Sequence, residues 1–371
     1  MKRTFLLCAT LAMMVLPSLA GGRLTLSDVS NGRFRGESVR AVQQLADGES
    51  YAQISADGKQ IVQYSFSTGK QTAVLFDVAT VRGATLSSID GYIISPDGRR
   101  MLIQTATHRI YRHSFTATYY IYTLANNKLE PLSDGGPQQT PVWSPDGQQV
   151  AFVRQNNIYL VKLLYNNAES QVTKDGVHNQ VINGVPDWVN EEEFGFNSSM
   201  VFSADSKQIV WVRYDESQVS EVSLPLTPVQ WQAGAAQASP ATMSASNRYT
   251  YKYPKAGEQN ATVTLMSYDI KSHQTRTLQL PLDADGYIPR IKATDDPTRV
   301  AVFTLNRHQD VMRVYMANPL TTVCQLVIED KVDKYINEDA YSQALITKSH
   351  IVLTSERDGY NRIYVYPLNG Q

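Results

Sequence analysis

The sequence is poor in the features on which several classes of protein depend. Its 371 residues include two cysteines, Cys8 and Cys324, which excludes a scaffold held together by several disulfides. The 34 lysines and arginines are balanced by 35 aspartates and glutamates, so no surplus of positive charge is available for nucleic acid. No apolar run reaches the roughly 18 residues that a membrane-spanning helix requires. The composition therefore predicts neither nucleic-acid binding nor a membrane span.

Common catalytic and metal-binding motifs are also missing. The sequence contains no Gly-x-Ser-x-Gly, no His-Glu-x-x-His and no cysteine–histidine spacing typical of a metal site. Its six histidines are scattered, and we interpret His113 as an ordinary strand residue. Cys324 lies in an apolar stretch and is predicted to be a core thiol. These residues alone predict no hydrolysis and no metal or cofactor.

The first twenty residues have the pattern of a secretory signal peptide. Lys2 and Arg3 give a positive start, residues 5–16 are apolar, and residues 18–20 form a small-x-small cleavage sequence. We expect cleavage after Ala20. The pattern predicts export to the periplasm, the cell surface or the medium.

A turn-and-strand unit recurs along the rest of the chain. Each copy has an apolar residue, then Ser-Pro/Ala-Asp-Gly, then an apolar strand, and in the fourth copy Ser206 replaces the glycine. Pro or Ala suits the first corner of such a turn, Asp bonds to its own backbone, and Gly adopts the positive φ. The aspartates, which lie 40, 49 and 59 residues apart, are Asp57, Asp97, Asp146 and Asp205. Short strands repeating every 40–50 residues are typical of β-propeller blades.

The sequence therefore predicts an all-β protein with a β-propeller over residues 21–371. The alternative is a β-sandwich with coincidental turns. We place about six blades at residues 40–85, 86–135, 136–178, 200–275, 285–328 and 340–371. An acidic segment, residues 187–194, lies in the longest gap, and we interpret it as an insertion from a blade edge. Insertions of this kind carry function more often than blade strands do.

The acidic segment reads Asp-Trp-Val-Asn-Glu-Glu-Glu-Phe. Its three adjacent carboxylates repel one another, so they either lie in solvent as an acidic turn or are held for a purpose. Trp188 and Phe194 flank them and could fix their positions. Carboxylates held in this way would suit an ammonium group, each charge-assisted hydrogen bond contributing roughly 1.5–3 kcal/mol. The residues alone leave both interpretations open.

Several segments, in the same order, resemble the dipeptidyl peptidase IV type of the prolyl oligopeptidase family. The acidic segment is similar to the family's Asp-Trp-Val-Tyr-Glu-Glu-Glu segment. Residues 111–117, Tyr-Arg-His-Ser-Phe-Thr-Ala, are similar to its Arg-His-Ser-x-Thr-Ala segment. Further similar segments are residues 213–219, 253–258 and 354–360, the last typical of bacterial members. The resemblance runs from about residue 25 to the end.

The resemblance implies an exported serine exopeptidase that releases dipeptides from N-termini with Pro or Ala in second position. In that family an eight-bladed propeller caps an α/β-hydrolase domain. The double glutamate that binds the substrate's N-terminal ammonium falls on Glu192 and Glu193. The arginine that contacts the substrate carbonyl and steadies the glutamates falls on Arg112. We call these three residues the clamp, and we expect Glu191 to be solvated or structural.

The implied partners are a peptide with a free N-terminus and the hydrolase domain, with no metal or cofactor. Homodimer formation is left open. Two departures matter. Asn190 stands where the family usually has tyrosine, which removes one aromatic support from the clamp. The chain also ends about six blades in, and the hydrolase domain with its Ser, Asp and His has no match in these 371 residues.

We therefore expect the N-terminal, substrate-gating propeller portion of a dipeptidyl peptidase IV-like enzyme. Whether these residues form an enzyme by themselves stays open. The alternative, from a different functional class, is a propeller that binds peptides or proteins without catalysis.

Overall fold

The computed structural model describes residues 24–36, 41–225 and 248–368. The predicted signal peptide, residues 1–20, lies outside this described part. The chain divides into two compact units, residues 1–43 and 44–371. In the first unit, helix α1 (Leu26–Ser30) begins at the N-cap Thr25. The Thr25 hydroxyl accepts a hydrogen bond from the Asp28 N–H, and the Asp28 carboxylate accepts one from the Thr25 N–H, which is a capping box.

Strands are the main regular structure in the described part of the second unit, which is rich in Val, Ile and Tyr, residues that favour strands. The strands before the acidic segment are β1 (Gln43–Gln44), β2 (Ser50–Ile54), β3 (Gln60–Ser65), β4 (Gln71–Asp77), β5 (Arg82–Gly83), β6 (Gly91–Ile94), β7 (Arg100–Arg109), β8 (Phe115–Thr123), β9 (Lys128–Pro131), β10 (Gln139–Trp143), β11 (Gln149–Arg154), β12 (Asn157–Lys162), β13 (Ala168–Gln171) and β14 (Val181–Asn183).

The strands after the acidic segment are β15 (Met200–Phe202), β16 (Gln208–Asp215), β17 (Glu221–Pro225), β18 (Arg248–Lys252), β19 (Thr262–Asp269), β20 (Gln274–Thr277), β21 (Tyr287–Ala293), β22 (Val300–Leu305), β23 (Val311–Ala317), β24 (Cys324–Lys331), β25 (Leu345–Ile346), β26 (His350–Ser355) and β27 (Arg362–Pro367). The helical segments of this unit are a 3-10 helix (Leu163–Tyr165), α2 (Trp188–Phe194) and α3 (Asp339–Ser342).

These strands form six sheets that follow one another along the described part of the chain. Sheet 1 is β1–β4, sheet 2 is β5–β9, sheet 3 is β10–β13, sheet 4 is β14–β16 with β19 and β20, sheet 5 is β21–β24, and sheet 6 is β25–β27. Within sheets 3, 5 and 6 each strand pairs antiparallel with the next. Strands β17 and β18 form a separate hairpin.

The hydrophobic core lies between successive sheets. Buried side chains of sheets 1 and 2, among them Phe76 and Met101, form one cluster, and those of sheets 2 and 3 form the next. Another cluster joins sheets 3, 4 and 5. A further one joins sheets 5 and 6 and includes Phe194 of α2. Each sheet therefore buries its faces against its neighbours in chain order.

The middle strands settle the choice between a propeller and a sandwich. Every residue of β22 is buried, and the first five residues of β16 are buried as well. Strands of a two-sheet sandwich alternate between a buried and a solvated face. Sheets that are covered on both faces by neighbouring sheets are the arrangement of propeller blades. The predicted all-β propeller fold is confirmed.

The repeated turns are built as the sequence predicts. In the third turn the Ser144 hydroxyl donates to the Asp146 carboxylate at 2.5 Å and accepts from the Gln149 N–H at 2.9 Å. Gly147 has a φ of 66°, and Ser206, which replaces the glycine in the fourth turn, has a φ of 62°. The turns also connect the sheets, because the Asp146 N–H donates to the Ser206 hydroxyl at 3.1 Å.

The acidic segment interrupts sheet 4 between two strands that share one partner. Strands β14 and β15 both pair antiparallel with β16. The sheet therefore begins at Val181 rather than near residue 200, and α2 lies within the connection between its first two strands. This position differs from the predicted insertion at a blade edge, because three-residue β14 is too short to stand out in the sequence.

The repeated turn gives a matched test of burial. Ser144 is fully buried, whereas its counterpart Ser55 in the first turn is half-buried with the same hydrogen bonds. We expect Ser144→Ala to lower the free energy of unfolding by about 1–3 kcal/mol, because the Gln149 N–H loses a partner that water cannot replace. Ser55→Ala should cost less. Urea denaturation of both variants measures this, and equal losses would contradict it.

Candidate functional site

The acidic segment folds as the two-turn helix α2 because both of its ends are capped. Asp187 is the N-cap, and its carboxylate accepts hydrogen bonds from the Asn190 N–H at 3.2 Å and from the Asn190 side-chain amide at 2.6 Å. Gly195 ends the helix with a φ of 61°, and its N–H donates to the Glu191 carbonyl. An Asp before a helix and a left-handed Gly after it are standard caps.

Aromatic contacts fix the helix at both ends. Trp188 packs against Tyr253 and Tyr251 of the hairpin region, with ring centroids 4.5 and 5.8 Å away. Phe194 is buried and makes edge contacts with Tyr287 and Tyr341 at 5.3 and 5.9 Å. Each such aromatic pair stabilises the fold by roughly 0.5–1.5 kcal/mol beyond the contribution of its buried surface area. The two aromatics that flank the carboxylates do anchor them.

Glu191 is a buried structural residue. It is 1% exposed, and its Oε1 accepts hydrogen bonds from the His113 N–H at 2.8 Å and the Ser114 N–H at 2.7 Å. Charge-assisted bonds of this kind offset part of the cost of removing a carboxylate from water. The Asn197 side chain also donates to the His113 carbonyl at 2.9 Å. These bonds fasten the loop between β7 and β8 to the helix.

The fastened loop carries Arg112, which reaches the second glutamate. Its Nε donates to the Glu192 Oε1 at 2.7 Å. The Arg112 side chain is 70% exposed and that of Glu192 is 23% exposed, so the pair lies at the surface of the site. The structure thus brings together Arg112 and Glu192, as the resemblance implies.

Glu193 differs from both of its neighbours. It is exposed, and within the described part of the chain no residue donates a hydrogen bond to its carboxylate and no cation lies in ion-pair range. Its negative charge does act on Tyr341, whose pKa is raised chiefly by burial and further by Glu338 and Glu193. The clamp therefore holds one carboxylate that is shared with Arg112 and one that is available to a ligand.

Asn190 takes a role that the sequence does not reveal. It is 1% exposed, and its side-chain amide bonds to Asp187. The residue that replaces the family's tyrosine is therefore tied into the helix cap. Burial raises the pKa of Asp187, and the hydrogen bonds from Asn190 act against that rise. The spacing of Asp187 and Asn190 is an N-cap signal that could have predicted the helix.

Two further features of the described residues concern the length of the helices and the state of Cys324. Within that part of the chain, no helix is long and apolar enough to cross a membrane. Cys324 is a free, half-buried thiol whose pKa is raised to about 11 by burial. A thiol with so high a pKa is a poor nucleophile at neutral pH.

Glu191 offers a test of how the clamp is held in place. Glu191→Ala removes the acceptor for the buried Ser114 N–H and the partly buried His113 N–H, so we expect the free energy of unfolding to fall by about 2–4 kcal/mol. Glu191→Gln keeps an acceptor oxygen and should lose less. Glu193→Gln, at an exposed position, should change the value by no more than about 0.5 kcal/mol. Urea denaturation decides, and equal stability of the Ala variant and the parent would refute the structural role.

The chain is similar to known proteins over most of its length. Residues 95–371 match the family described as the dipeptidyl peptidase IV (DPP IV) N-terminal region. A probable dipeptidyl-aminopeptidase B of Emericella nidulans is 33% identical over 83% of this chain and 35% of its own length. A second one, from Talaromyces stipitatus, is 29% identical over 93% of this chain and 40% of its own length.

Solved structures of dipeptidyl peptidases have a similar fold. The crystal structure of Porphyromonas gingivalis dipeptidyl peptidase 4 superposes with a TM-score of 0.86 at 37% identity, over 94% of this chain and 48% of that one. A putative dipeptidyl aminopeptidase IV from Bacteroides ovatus, 18% identical with a TM-score of 0.61, shares the fold. The chain thus spans between about a third and a half of the length of these relatives. It belongs to the dipeptidyl peptidase IV N-terminal region family.

Proposed function

We propose that this chain is the substrate-gating propeller of an exported serine exopeptidase that releases Xaa-Pro and Xaa-Ala dipeptides. The observation that carries the proposal is the clamp: the exposed Glu193 carboxylate has no hydrogen-bond donor among the described residues, and Glu192 is paired with Arg112 at 2.7 Å. The similarity to dipeptidyl peptidases over most of the chain supports the substrate class.

The clamp suits a free peptide N-terminus for a chemical reason. An ammonium group has three N–H donors and no acceptor, and two neighbouring carboxylates can receive them. The guanidinium of Arg112 offsets the repulsion between the two glutamates. It also keeps donors that can reach a substrate carbonyl oxygen. An acylated N-terminus has neither the charge nor the donors, so the clamp would admit only free N-termini.

Fixing the N-terminus determines which peptide bond is cut. A substrate held by its ammonium group extends a set number of residues from the clamp, so a nucleophile at one position would always meet the second peptide bond. In this proposal an α/β-hydrolase domain supplies the activated serine and forms the acyl-enzyme. The propeller contributes orientation, which is worth several kcal/mol in the barrier when the geometry is right.

Dipeptide binding tests the clamp directly. We expect the purified chain to bind Ala-Pro at least tenfold more tightly than N-acetyl-Ala-Pro by calorimetry, because acetylation removes charge-assisted bonds of roughly 1.5–3 kcal/mol. Glu192→Gln and Glu193→Gln should each reduce that preference. Glu49→Gln removes a charge at an exposed position outside the clamp and should leave the preference unchanged.

Two results would contradict the proposal. One is equal binding of the free and acetylated dipeptides, which would favour the alternative of a general peptide-binding propeller. The other is a preference that survives in the Glu192→Gln/Glu193→Gln double variant, because it would place amine recognition elsewhere.

Export is part of the same proposal and rests on the first twenty residues. We expect the mature protein to begin at Gly21, because the small-x-small sequence at residues 18–20 is the predicted cleavage site. Intact-mass measurement of protein expressed with its natural N-terminus checks this. A retained Met1 in the cell-free medium or periplasmic fraction, or retention of all the protein in the cytoplasm, would refute it.

A further inference from the structure

A cavity of about 500 Å³ is lined in part by residues of α2 and of the loop between β7 and β8. Asp187, Trp188 and Glu191 contribute to its wall, whereas Arg112, Glu192 and Glu193 do not. Its size is within the range of sites that enclose small molecules. The proposed amine-binding function does not use this cavity.

One wall carries a buried carboxyl group that lacks a hydrogen-bond donor. Glu216 is 6% exposed and lines the cavity. Among the described residues, none donates a hydrogen bond to its carboxylate. Burial raises its pKa to about 7, and the negative charge of Asp187 adds to the rise. Burial and a neighbouring negative charge both disfavour the ionised form of a carboxyl group, so a ligand that supplies positive charge would stabilise it.

Lys252, a cation on the cavity wall, already has protein partners. Lys252 lowers the pKa of Glu216 through its charge, but its Nζ donates to the Val219 carbonyl at 2.8 Å and lies 3.7 Å from a Glu221 oxygen. Asp187 and Glu191 add two more carboxylates to the wall, and their hydrogen bonds are with protein donors. Arg109 also lines the cavity, and its Nη1 donates to the Arg112 carbonyl at 3.3 Å. Apart from two histidines, the wall therefore carries three carboxylates against two cations, and both cations already bond to protein groups.

Aromatic rings form another part of the wall. Trp188 and Tyr111 both line the cavity, and Tyr251 packs against each of them at 5.8 and 6.5 Å between centroids. This packing holds the two rings in place. The face of an indole or phenol attracts a cation within about 6 Å of its centroid, by roughly 0.5–2 kcal/mol. Carboxylate and aromatic groups together suit an organic cation better than a metal ion.

We propose that this cavity is a second ligand site, which binds a small organic cation between Glu216 and the rings of Trp188 and Tyr111. The ammonium group pairs with the Glu216 carboxylate, and the apolar part of the ligand lies against the rings. Because Trp188 begins α2 and Asp187 caps it, an occupant of the cavity contacts the helix that carries the clamp glutamates.

Benzyltrimethylammonium is a suitable probe because its charge does not change with pH and its ring matches the aromatic wall. Calorimetric titration of the purified chain at pH 8 should give saturable binding. Glu216→Gln should weaken it at least tenfold. Glu49→Gln, at an exposed position that does not line the cavity, and the Glu192→Gln/Glu193→Gln double variant should bind as the parent does.

The pH dependence gives an independent result. The Glu216 pKa of about 7 means that the ionised fraction rises about tenfold from pH 6 to pH 8, so binding should tighten by a similar factor. His108, His178 and Arg109 also line the cavity wall. Asp187, Asp215 and Lys252 also act on Glu216. The share of the pH dependence of binding that is due to Glu216 is the share that is lost in the Glu216→Gln variant.

Three results would overturn the site: no saturable binding, equal affinity of Glu216→Gln and the parent, or loss only in the double clamp variant, which would assign the probe to the clamp. If Glu216→Gln does not fold, NMR of the parent decides. Nuclear Overhauser contacts from the probe's methyl protons to the Trp188 indole are expected, and bound probe without them would refute the placement. Failure here leaves the dipeptide test of the clamp untouched.

Discussion

Two hydrogen bonds to one buried carboxylate hold the candidate site together. Glu191 receives the N–H groups of His113 and Ser114, which precede it by 78 and 77 residues. The loop between β7 and β8 and the helix in sheet 4 belong to different blades. Without this connection nothing in the local sequence would bring Arg112 to Glu192. A buried carboxylate that is bonded to two backbone N–H groups thus determines where Arg112 and Glu192 meet.

The helical period gives three identical side chains three different environments. Successive residues of a helix point about 100° apart, so Glu191 faces the protein interior, Glu192 faces Arg112, and Glu193 faces solvent. An extended segment would have placed alternate glutamates on opposite faces. The helix separates the three negative charges, and hydrogen bonds to Glu191 and Glu192 further reduce the repulsion among them. The carboxylate of Glu193 stays exposed.

Much of the fold follows from the sequence because the turns are local. The bonds that close the third turn, from the Ser144 hydroxyl to Asp146 and from the Gly147 N–H to the Ser144 carbonyl, lie within a few residues, so the repeat predicts the blades directly. The buried role of Glu191 and the burial of the Glu216 carboxyl group depend on residues far along the chain, and no local pattern encodes them. Helix α2 is intermediate: Asp187 and Gly195 signal its ends, but three adjacent glutamates suggest a solvated turn.

The fourth repeat shows that the blades are not interchangeable. Ser206 adopts the left-handed conformation that favours glycine, at a cost of roughly 1–2 kcal/mol. Its hydroxyl receives the Asp146 N–H, and its carbonyl receives the Gln149 side-chain amide. Ser206 thus strains its own turn, and its two hydrogen bonds help to align sheet 3 with sheet 4. In a repeat protein built from identical units, a glycine at this position would leave the turn unstrained. Such a protein would lack the hydroxyl contact that distinguishes the correct neighbouring blade from the others.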